Sequence, residues 1–189
     1  MKPELSFRLR DLPETRDVAL EEAFVREALA AVPGQDQLDE PPAGAAPDRV
    51  HLHVEVTVEH RTAFAVGRLT GTIAVACSRC LGRVTLAVDE PFSLTFLPRS
   101  EFDAEPDDGD VELDADDLDV SAHDGETVDL AAAIRDHLVL SVPYAPLCAD
   151  DCKGLCAQCG ADLNAGACAC PPAAADSPWA AALSKLKLE

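Results

Sequence analysis

Residues 51–59 read His-Leu-His-Val-Glu-Val-Thr-Val-Glu, an unbroken alternation of polar and apolar side chains. Successive side chains of a β-strand point to opposite faces of a sheet, so this pattern predicts a strand with one buried face and one solvated face. The buried face would consist of Leu52, Val54, Val56 and Val58. The stretch therefore predicts that a β-sheet forms the centre of the fold.

The residues that follow continue the β pattern. The apolar residues between 64 and 77 change parity beside Gly67, which predicts a bulge at that glycine. Two more alternating runs, 84–88 and 92–96, lie on either side of Pro91. Because these runs are closely spaced, they predict an antiparallel meander or a partly open barrel.

Two segments outside these runs have helical spacing. Residues 17–32 place an apolar face on one side, and Pro33 ends that helix. Residues 128–141 predict a second helix with Thr127 as its N-cap. The apolar faces of the two helices consist of Leu20, Phe24, Ala28 and Leu29 in the first and of Leu130, Ile134 and Leu138 in the second.

The ends of the chain and its loops have weaker patterns. Residues 4–9 predict a first strand, 33–48 predict a loop, and 177–188 predict a short helix with Trp179 on its apolar side. The whole is an α+β fold with two or three helices. We predict a core domain over 1–145, with an acidic insertion at about 101–127, followed by a Cys-rich segment and the short helix over 146–189.

The chain is strongly acidic, with 35 Asp and Glu against 15 Lys and Arg and a net charge of −20. Affinity for nucleic acid comes largely from Lys and Arg, so the composition disfavours a general RNA binder and favours a basic protein partner. Residues 101–129 contain 14 acidic residues and no Lys or Arg. This segment is interpreted either as a solvated, partly disordered loop or as an acidic arm that docks on a basic protein or mimics nucleic acid.

Residues 1–8 lack the apolar region of a signal peptide, and no stretch approaches the roughly 20 apolar residues that span a bilayer. We therefore expect a cytoplasmic protein without a membrane partner. In a reducing compartment cysteines are thiols or metal ligands, not disulfides.

All eight cysteines fall in two places, a Cys-x2-Cys pair and a cluster of six within 23 residues. Zinc explains the spacing, because two sulfurs separated by two residues on a tight turn can bind one tetrahedral ion. The cluster has too few apolar neighbours to bury six free thiols. The predicted ligands are Cys77, Cys80, Cys148, Cys152, Cys156, Cys159, Cys168 and Cys170.

Eight ligands divide into two sites of four. The preferred division places Cys156, Cys159, Cys168 and Cys170 in one site, and the remaining four in the other. Cys152 is an alternative ligand for the site that contains Cys156. The number of zinc ions in the chain, one or two, therefore stays open. Cys77 and Cys80 are alternatively buried, unligated thiols.

An enzyme is the alternative class. A reactive Cys-x-x-Cys needs a stabilised thiolate, typically at a helix N-terminus, and here only Arg79 is available to lower a thiol pKa. Catalytic zinc usually has His or carboxylate ligands and an open position. His51 and His53 form a possible H-x-H metal pair or, alternatively, a solvent-facing pair. We find no phosphate loop, nucleophile elbow or HExxH motif, and expect neither catalysis nor a small-molecule substrate.

Three segments together carry a resemblance to a known family. Residues 71–81 (GTIAVACSRCL) resemble the Cys-x-Arg-Cys-Leu signature of the YceD family, the large ribosomal RNA subunit accumulation proteins. Residues 128–143 resemble its "DL…LxLxxP" segment, and 152–170 (CKGLCAQCGADLNAGACAC) resemble its "CKGLCxxCGxxLN…CxC" tail.

The resemblance covers roughly residues 65–188 and keeps the family's order throughout. It implies a role in accumulation or maturation of 23S ribosomal RNA and in assembly of the large ribosomal subunit. The implied partner is a large-subunit precursor or a basic ribosomal or assembly protein, and direct contact with RNA is left open. No enzymatic activity comes with the likeness.

Overall fold

The computed structural model describes residues 5–38, 49–102 and 120–171. The acidic residues 103–119 and the predicted C-terminal helix with Trp179 lie outside these ranges. In chain order the elements are β1 (Ser6–Arg8), β2 (Glu14–Ala19), α1 (Glu22–Leu29), β3 (Arg49–Glu59), β4 (Thr62–Ala76), β5 (Arg83–Pro98), α2 (Arg99–Phe102), β6 (Val120–His123), β7 (Thr127–Asp129) and α3 (Ala131–Leu140). Short 3-10 turns cover Leu9–Asp11 and Gln35–Gln37.

Five strands form one sheet in the order β2-β3-β4-β5-β6. Strands β2 to β5 are antiparallel neighbours in chain order, whereas β6 joins β5 in parallel. β1 and β7 form a separate antiparallel pair. The predicted α+β fold with an antiparallel meander is confirmed, and within the described residues its sheet is open because the edge strands β2 and β6 do not pair with each other.

Strand β3 confirms the alternation that the sequence predicts. Leu52, Val54 and Val56 are at most 1% exposed, while His51 and His53 point outward. Val58, which was also predicted to be buried, is half-buried. α1 and α3 contact each other, and their apolar faces belong to the same hydrophobic core as β3. Across this helix pair, the Arg135 guanidinium lies 5.0 Å from the centre of the Phe24 ring.

The bulge predicted at Gly67 is wrong. β4 pairs with β3 and β5 in an unbroken register through Gly67. Phe64 and Val66 face outward, and Val66 is 55% exposed, so one parity faces the core along the whole strand. Gly67 belongs to the inner row, where its missing side chain leaves room for the Phe92 ring.

The predicted helix over 17–32 is wrong at its start. Residues 14–19 form β2, which pairs with β3 from Glu14↔Val56 to Ala19↔His51. The exposed edge of β3 offers backbone hydrogen bonds that an isolated first helical turn cannot match, so strand pairing overrides local propensity. The helix also ends at Leu29, three residues before the predicted end. The predicted apolar face holds, because Leu20, Phe24, Ala28 and Leu29 are buried.

The N-cap predicted for the helix over 128–141 is also wrong. Thr127 lies in β7 opposite Arg8, and the helix begins four residues later at Ala131. The Ala131 N–H donates to Oδ1 of Asp129 at 2.9 Å, so an aspartate satisfies the free amide. Leu130, Ile134 and Leu138 are fully buried, as the sequence predicts. The division into domains at residue 145 stays a prediction.

The close packing at Gly67 yields a stability prediction. A Cβ at residue 67 would lie 2.6 Å from Cζ of Phe92 and would also contact the His53 carbonyl. Gly67→Ala should therefore lower the free energy of unfolding by about 1–3 kcal/mol, although alanine normally suits a strand better than glycine. Urea denaturation measures this. Ser93→Ala, on the solvated face of β5, is the matched control, and equal stability of the two variants would contradict the account.

Candidate metal centre

The turn between β4 and β5 is a cysteine knuckle. The Cys77 N–H donates to the Gly82 carbonyl at 2.8 Å, and the Leu81 N–H donates to the Cys77 carbonyl at 2.9 Å. These bonds return the chain on itself and turn the sulfurs of Cys77 and Cys80 to one side. The geometry requires a left-handed residue, and Leu81 fills that position with φ +61°.

The segment around Cys156 repeats the same turn. The Cys156 N–H donates to the Ala161 carbonyl at 2.8 Å, and the Gly160 N–H donates to the Cys156 carbonyl at 2.8 Å. Gly160 occupies the left-handed position with φ +71°. The two Cys-x2-Cys motifs therefore form equivalent knuckles. One lies at the end of the β4–β5 hairpin, and the other lies in residues 146–171, here called the C-terminal segment.

Each knuckle is completed by two further sulfurs. We call Cys77, Cys80, Cys148 and Cys152 the first centre, and Cys156, Cys159, Cys168 and Cys170 the second centre. Within each centre all four sulfurs lie within 4.8 Å of one another. The structure thus brings together the same two sets of four that the sequence analysis preferred.

The sulfur separations fit a tetrahedral metal site. Cys77 Sγ is 3.8 Å from Cys152 Sγ, and Cys80 Sγ is 3.6 Å from Cys148 Sγ. In the second centre, Cys156 and Cys168 are 3.4 Å apart. A tetrahedron with metal–sulfur bonds of about 2.3 Å has edges of about 3.8 Å, whereas a disulfide bond is only about 2.05 Å long. Each centre can therefore hold a metal ion, and its sulfurs are free thiols.

Backbone hydrogen bonds fasten the C-terminal segment to the first knuckle. The Ser78 N–H donates to the Pro146 carbonyl at 2.8 Å, and the Leu155 N–H donates to the Arg79 carbonyl at 3.1 Å. Gly154 makes the second approach possible, because a Cβ there would lie 2.9 Å from the Arg79 oxygen. Two sulfurs from residues 148–152 are thereby held over two sulfurs from the sheet.

Sequence reasoning missed the role of Arg79, which it treated as a charge that lowers a thiol pKa. The guanidinium instead donates to the carbonyl of Cys152 at 2.8 Å and lies 3.5 Å from that of Asp150. Arg79 thus positions the backbone that carries a sulfur. Its place inside the first Cys-x2-Cys motif was the available signal, but its acceptors are about 70 residues away in the chain.

Backbone amides favour one thiolate in each centre. Burial opposes ionisation of Cys77, but N–H groups of Cys80, Arg79 and Cys148 directed at its sulfur lower its pKa to about 6. N–H groups of Cys159 and Gln158 likewise lower the pKa of Cys156 to about 6. These thiolates are the form that binds metal.

One sulfur in each centre, that of Cys148 in the first and that of Cys170 in the second, resists ionisation. Hydrogen bonds with Cys152 and Cys80 raise the pKa of Cys148 to about 12. A hydrogen bond with Cys159 raises the pKa of Cys170 to about 11. Several negatively charged sulfurs so close together repel one another. All four thiols of a centre can therefore ionise only when a cation lies among their sulfurs.

The two centres differ in burial. Cys77 and Cys152 are 0% and 4% exposed and belong to the hydrophobic core, whereas Cys80 is half-buried and Cys148 is exposed. One half of the first centre is thus built into the fold. In the second centre Cys159 is exposed, and Cys156, Cys168 and Cys170 are half-buried.

The histidines do not join these clusters. His51 and His53 are both exposed on β3, and His53 Nδ1 lies 2.7 Å from Oδ1 of Asp17. Among the described residues, this pair is not part of any group of three ligands close enough to share a metal. The buried His123 accepts the Gly125 N–H at Nδ1 and contacts the Arg61 carbonyl through Nε2 at 2.9 Å, so its role is structural.

Within the described ranges, no helix is long and apolar enough to cross a membrane.

Comparison with known proteins identifies relatives of this chain. A family model described as "Large ribosomal RNA subunit accumulation protein YceD" matches residues 65–187, which include both centres. An uncharacterized protein of Mycobacterium tuberculosis is 38% identical over 103 residues, covering 50% of this chain and 44% of the relative. The aligned region thus spans less than half of that relative's length.

Two other relatives extend the comparison. An uncharacterized protein of Mycobacterium leprae is 31% identical over 128 residues, covering 62% of this chain and 50% of its own length. The maize protein named "Large ribosomal RNA subunit accumulation protein YCED homolog 1, chloroplastic" is 32% identical over 145 residues, covering 65% and 49%. No solved structure matches the chain.

The left-handed residue of the second knuckle can be tested in isolation. A Cβ at Gly160 would meet nothing within 4 Å, so Gly160→Ala changes only the cost of φ +71°. That cost is about 1–2 kcal/mol, which should weaken metal binding at the second centre about tenfold. Chelator competition measures this affinity. Gly160→Asn should lose less, because asparagine tolerates this conformation, and an unaltered Gly160→Ala affinity would refute the assignment of the knuckle.

Proposed function

The chain belongs to the YceD family of large ribosomal RNA subunit accumulation proteins, and from this premise we propose that it is a zinc-binding accessory factor in 23S ribosomal RNA accumulation and large-subunit assembly. The zinc-binding part of this proposal rests on one observation: in each centre four cysteine sulfurs lie at the separations expected around a tetrahedral metal ion. The family match carries the ribosomal part.

Zinc is the metal that suits these donors best. Four thiolates in a tetrahedral arrangement are typical of structural zinc, whereas calcium and magnesium prefer oxygen ligands. Cys77, Cys80, Cys148 and Cys152 would bind one ion, and Cys156, Cys159, Cys168 and Cys170 would bind the other. Zinc would supply the attraction that keeps the C-terminal segment folded against the sheet, because binding energy at such sites is folding energy.

We infer a binding factor, not an enzyme. Four protein ligands fill a tetrahedral zinc and leave no position for a substrate, in contrast to catalytic sites with an open position. The net charge of −20 supports a basic partner, such as a ribosomal or assembly protein of the large-subunit precursor. The proposed site of action is the cytoplasm.

A thiol-redox activity is the second candidate, and the lowered pKa of Cys77 favours it. Three observations weigh against it. Cys77 is fully buried, and the residues after Cys80 enter strand β5 without providing a helix N-terminus to stabilise a thiolate. Each knuckle also meets a second pair of sulfurs, which a dithiol enzyme does not need.

Metal content separates these candidates. The purified, untagged chain should contain two zinc ions and show no free thiol, because all eight sulfurs are ligands. Removal of zinc with a chelator should then abolish the structured amide signals of residues 146–171, measured by NMR. A single zinc with about four titratable thiols would contradict the two-centre proposal and support the redox candidate.

The ribosomal role has its own test. Deletion of the gene should lower the ratio of 23S to 16S ribosomal RNA, and the wild-type gene should restore it. Cys77→Ser should fail to restore the ratio, because it leaves three sulfurs in the centre that is part of the core. Cys159→Ser is the matched variant in the second centre, where it changes an exposed sulfur. An unchanged ratio in the deletion strain would exclude the ribosomal proposal.

A further inference from the structure

Asn164 lies in the loop of one centre but contacts a sulfur of the other. It falls between Cys159 and Cys168 of the second centre. Its side-chain Nδ2 nevertheless lies 3.5 Å from Sγ of Cys152, a sulfur of the first centre, with the geometry of an N–H···S hydrogen bond. The side chain thus links the loop of the second centre to a sulfur of the first centre.

The neighbours of Asn164 determine which way its amide points. Oδ1 accepts the Lys153 N–H at 2.8 Å, and Nδ2 donates to Oδ1 of Asp162 at 2.7 Å. A flipped amide would place an oxygen against the carboxylate and an NH2 group against the Lys153 N–H, losing both bonds. The donor therefore faces the sulfur of Cys152.

The loop that carries Asn164 is held against residues 154–155 by backbone pairing. The Leu163 N–H donates to the Gly154 carbonyl at 2.9 Å, and Asp162 forms a β-bridge with Leu155. The Asn164 N–H also donates to Oδ1 of Asp162 at 2.9 Å. The ends of this loop lead to the sulfurs of the second centre, so a metal there would fix the position of Asn164.

We propose that Asn164 is a positioning residue that couples the two metal centres. This inference rests on the proposed binding of zinc at both. A metal in the second centre holds the Asn164 amide against Cys152, and the hydrogen bond stabilises that thiolate as a ligand of the first centre. Because coupling between binding sites is reciprocal, a metal in the first centre strengthens binding in the second by the same factor.

Burial makes this hydrogen bond effective. Cys152 is 4% exposed, so water has little access to replace the Asn164 amide as a donor to its sulfur. The amide N–H of Asn164 is also neutral and cannot itself bind a metal. It therefore stabilises the negative charge of the Cys152 thiolate without competing for the ion. Loss of such outer-shell partners typically weakens metal binding about 10–100-fold.

The test compares Asn164→Ala with Gln158→Ala in the full-length chain. Gln158 is the matched control, because its amide lies in the second knuckle but donates to the Pro171 carbonyl, away from the first centre. Cadmium NMR of the cadmium-loaded protein should give one resonance for each centre, and Cys159→Ser identifies that of the second. Chelator competition gives the affinity of each centre for zinc.

We expect Asn164→Ala to shift the cadmium resonance of the first centre and to weaken zinc binding there about 10–100-fold. Gln158→Ala should leave the first centre unchanged. In the Cys159→Ser background, Asn164→Ala should have a smaller effect on the first centre, because a metal no longer fixes the end of the loop at residue 159.

Two results would overturn the coupling. One is a first centre that Asn164→Ala leaves unaltered in resonance and affinity. The other is an equal loss at the first centre from Asn164→Ala in the wild-type and Cys159→Ser backgrounds, which would make the hydrogen bond independent of the second metal. A wild-type chain that binds no metal would fail at the earlier step and would refute the proposed zinc sites themselves.

Discussion

The structure depends on one long-range constraint, the meeting of the Cys77–Cys80 knuckle with the sulfurs of Cys148 and Cys152. The knuckle belongs to the central β4–β5 hairpin, and the other two sulfurs come from a segment without helices or strands. Cys77 and Cys152 are buried in the hydrophobic core, so this centre and the core form one unit. Residues 146–171 have few large apolar side chains, and their place on the sheet rests on this junction.

The second centre extends that junction outward. Its knuckle has the same hydrogen-bond pattern as the first, but glycine replaces leucine at the left-handed position. Leu81 serves a second purpose that Gly160 cannot, because its side chain lies beside Gly34, where a Cβ would come within 3.4 Å of Cδ2 of Leu81. The same local turn is thus adapted to a packed environment in one place and to a solvated one in the other.

Sequence patterns predicted correctly those features that are determined by interactions between residues close together in the chain. The alternation in 51–59, the buried faces of both main helices and the Cys-x2-Cys turns depend on neighbours in sequence. The start of α1 and the inner row of β4 depended on distant partners, namely the edge of β3 and the Phe92 ring. The roles of Arg79 and Asn164 were missed for the same reason, since the motifs that contain these residues do not indicate that both side chains donate to atoms of Cys152.

The separation of Cys80 from Cys148 has a consequence for the growing chain. The two residues are 68 positions apart, and synthesis proceeds at about 5–20 residues per second. The β4–β5 hairpin therefore leaves the ribosome with its knuckle exposed for roughly 3–14 seconds before the remaining sulfurs follow. The newly made protein must pass through an interval in which two thiols at the end of its central hairpin are open to other metals and oxidants.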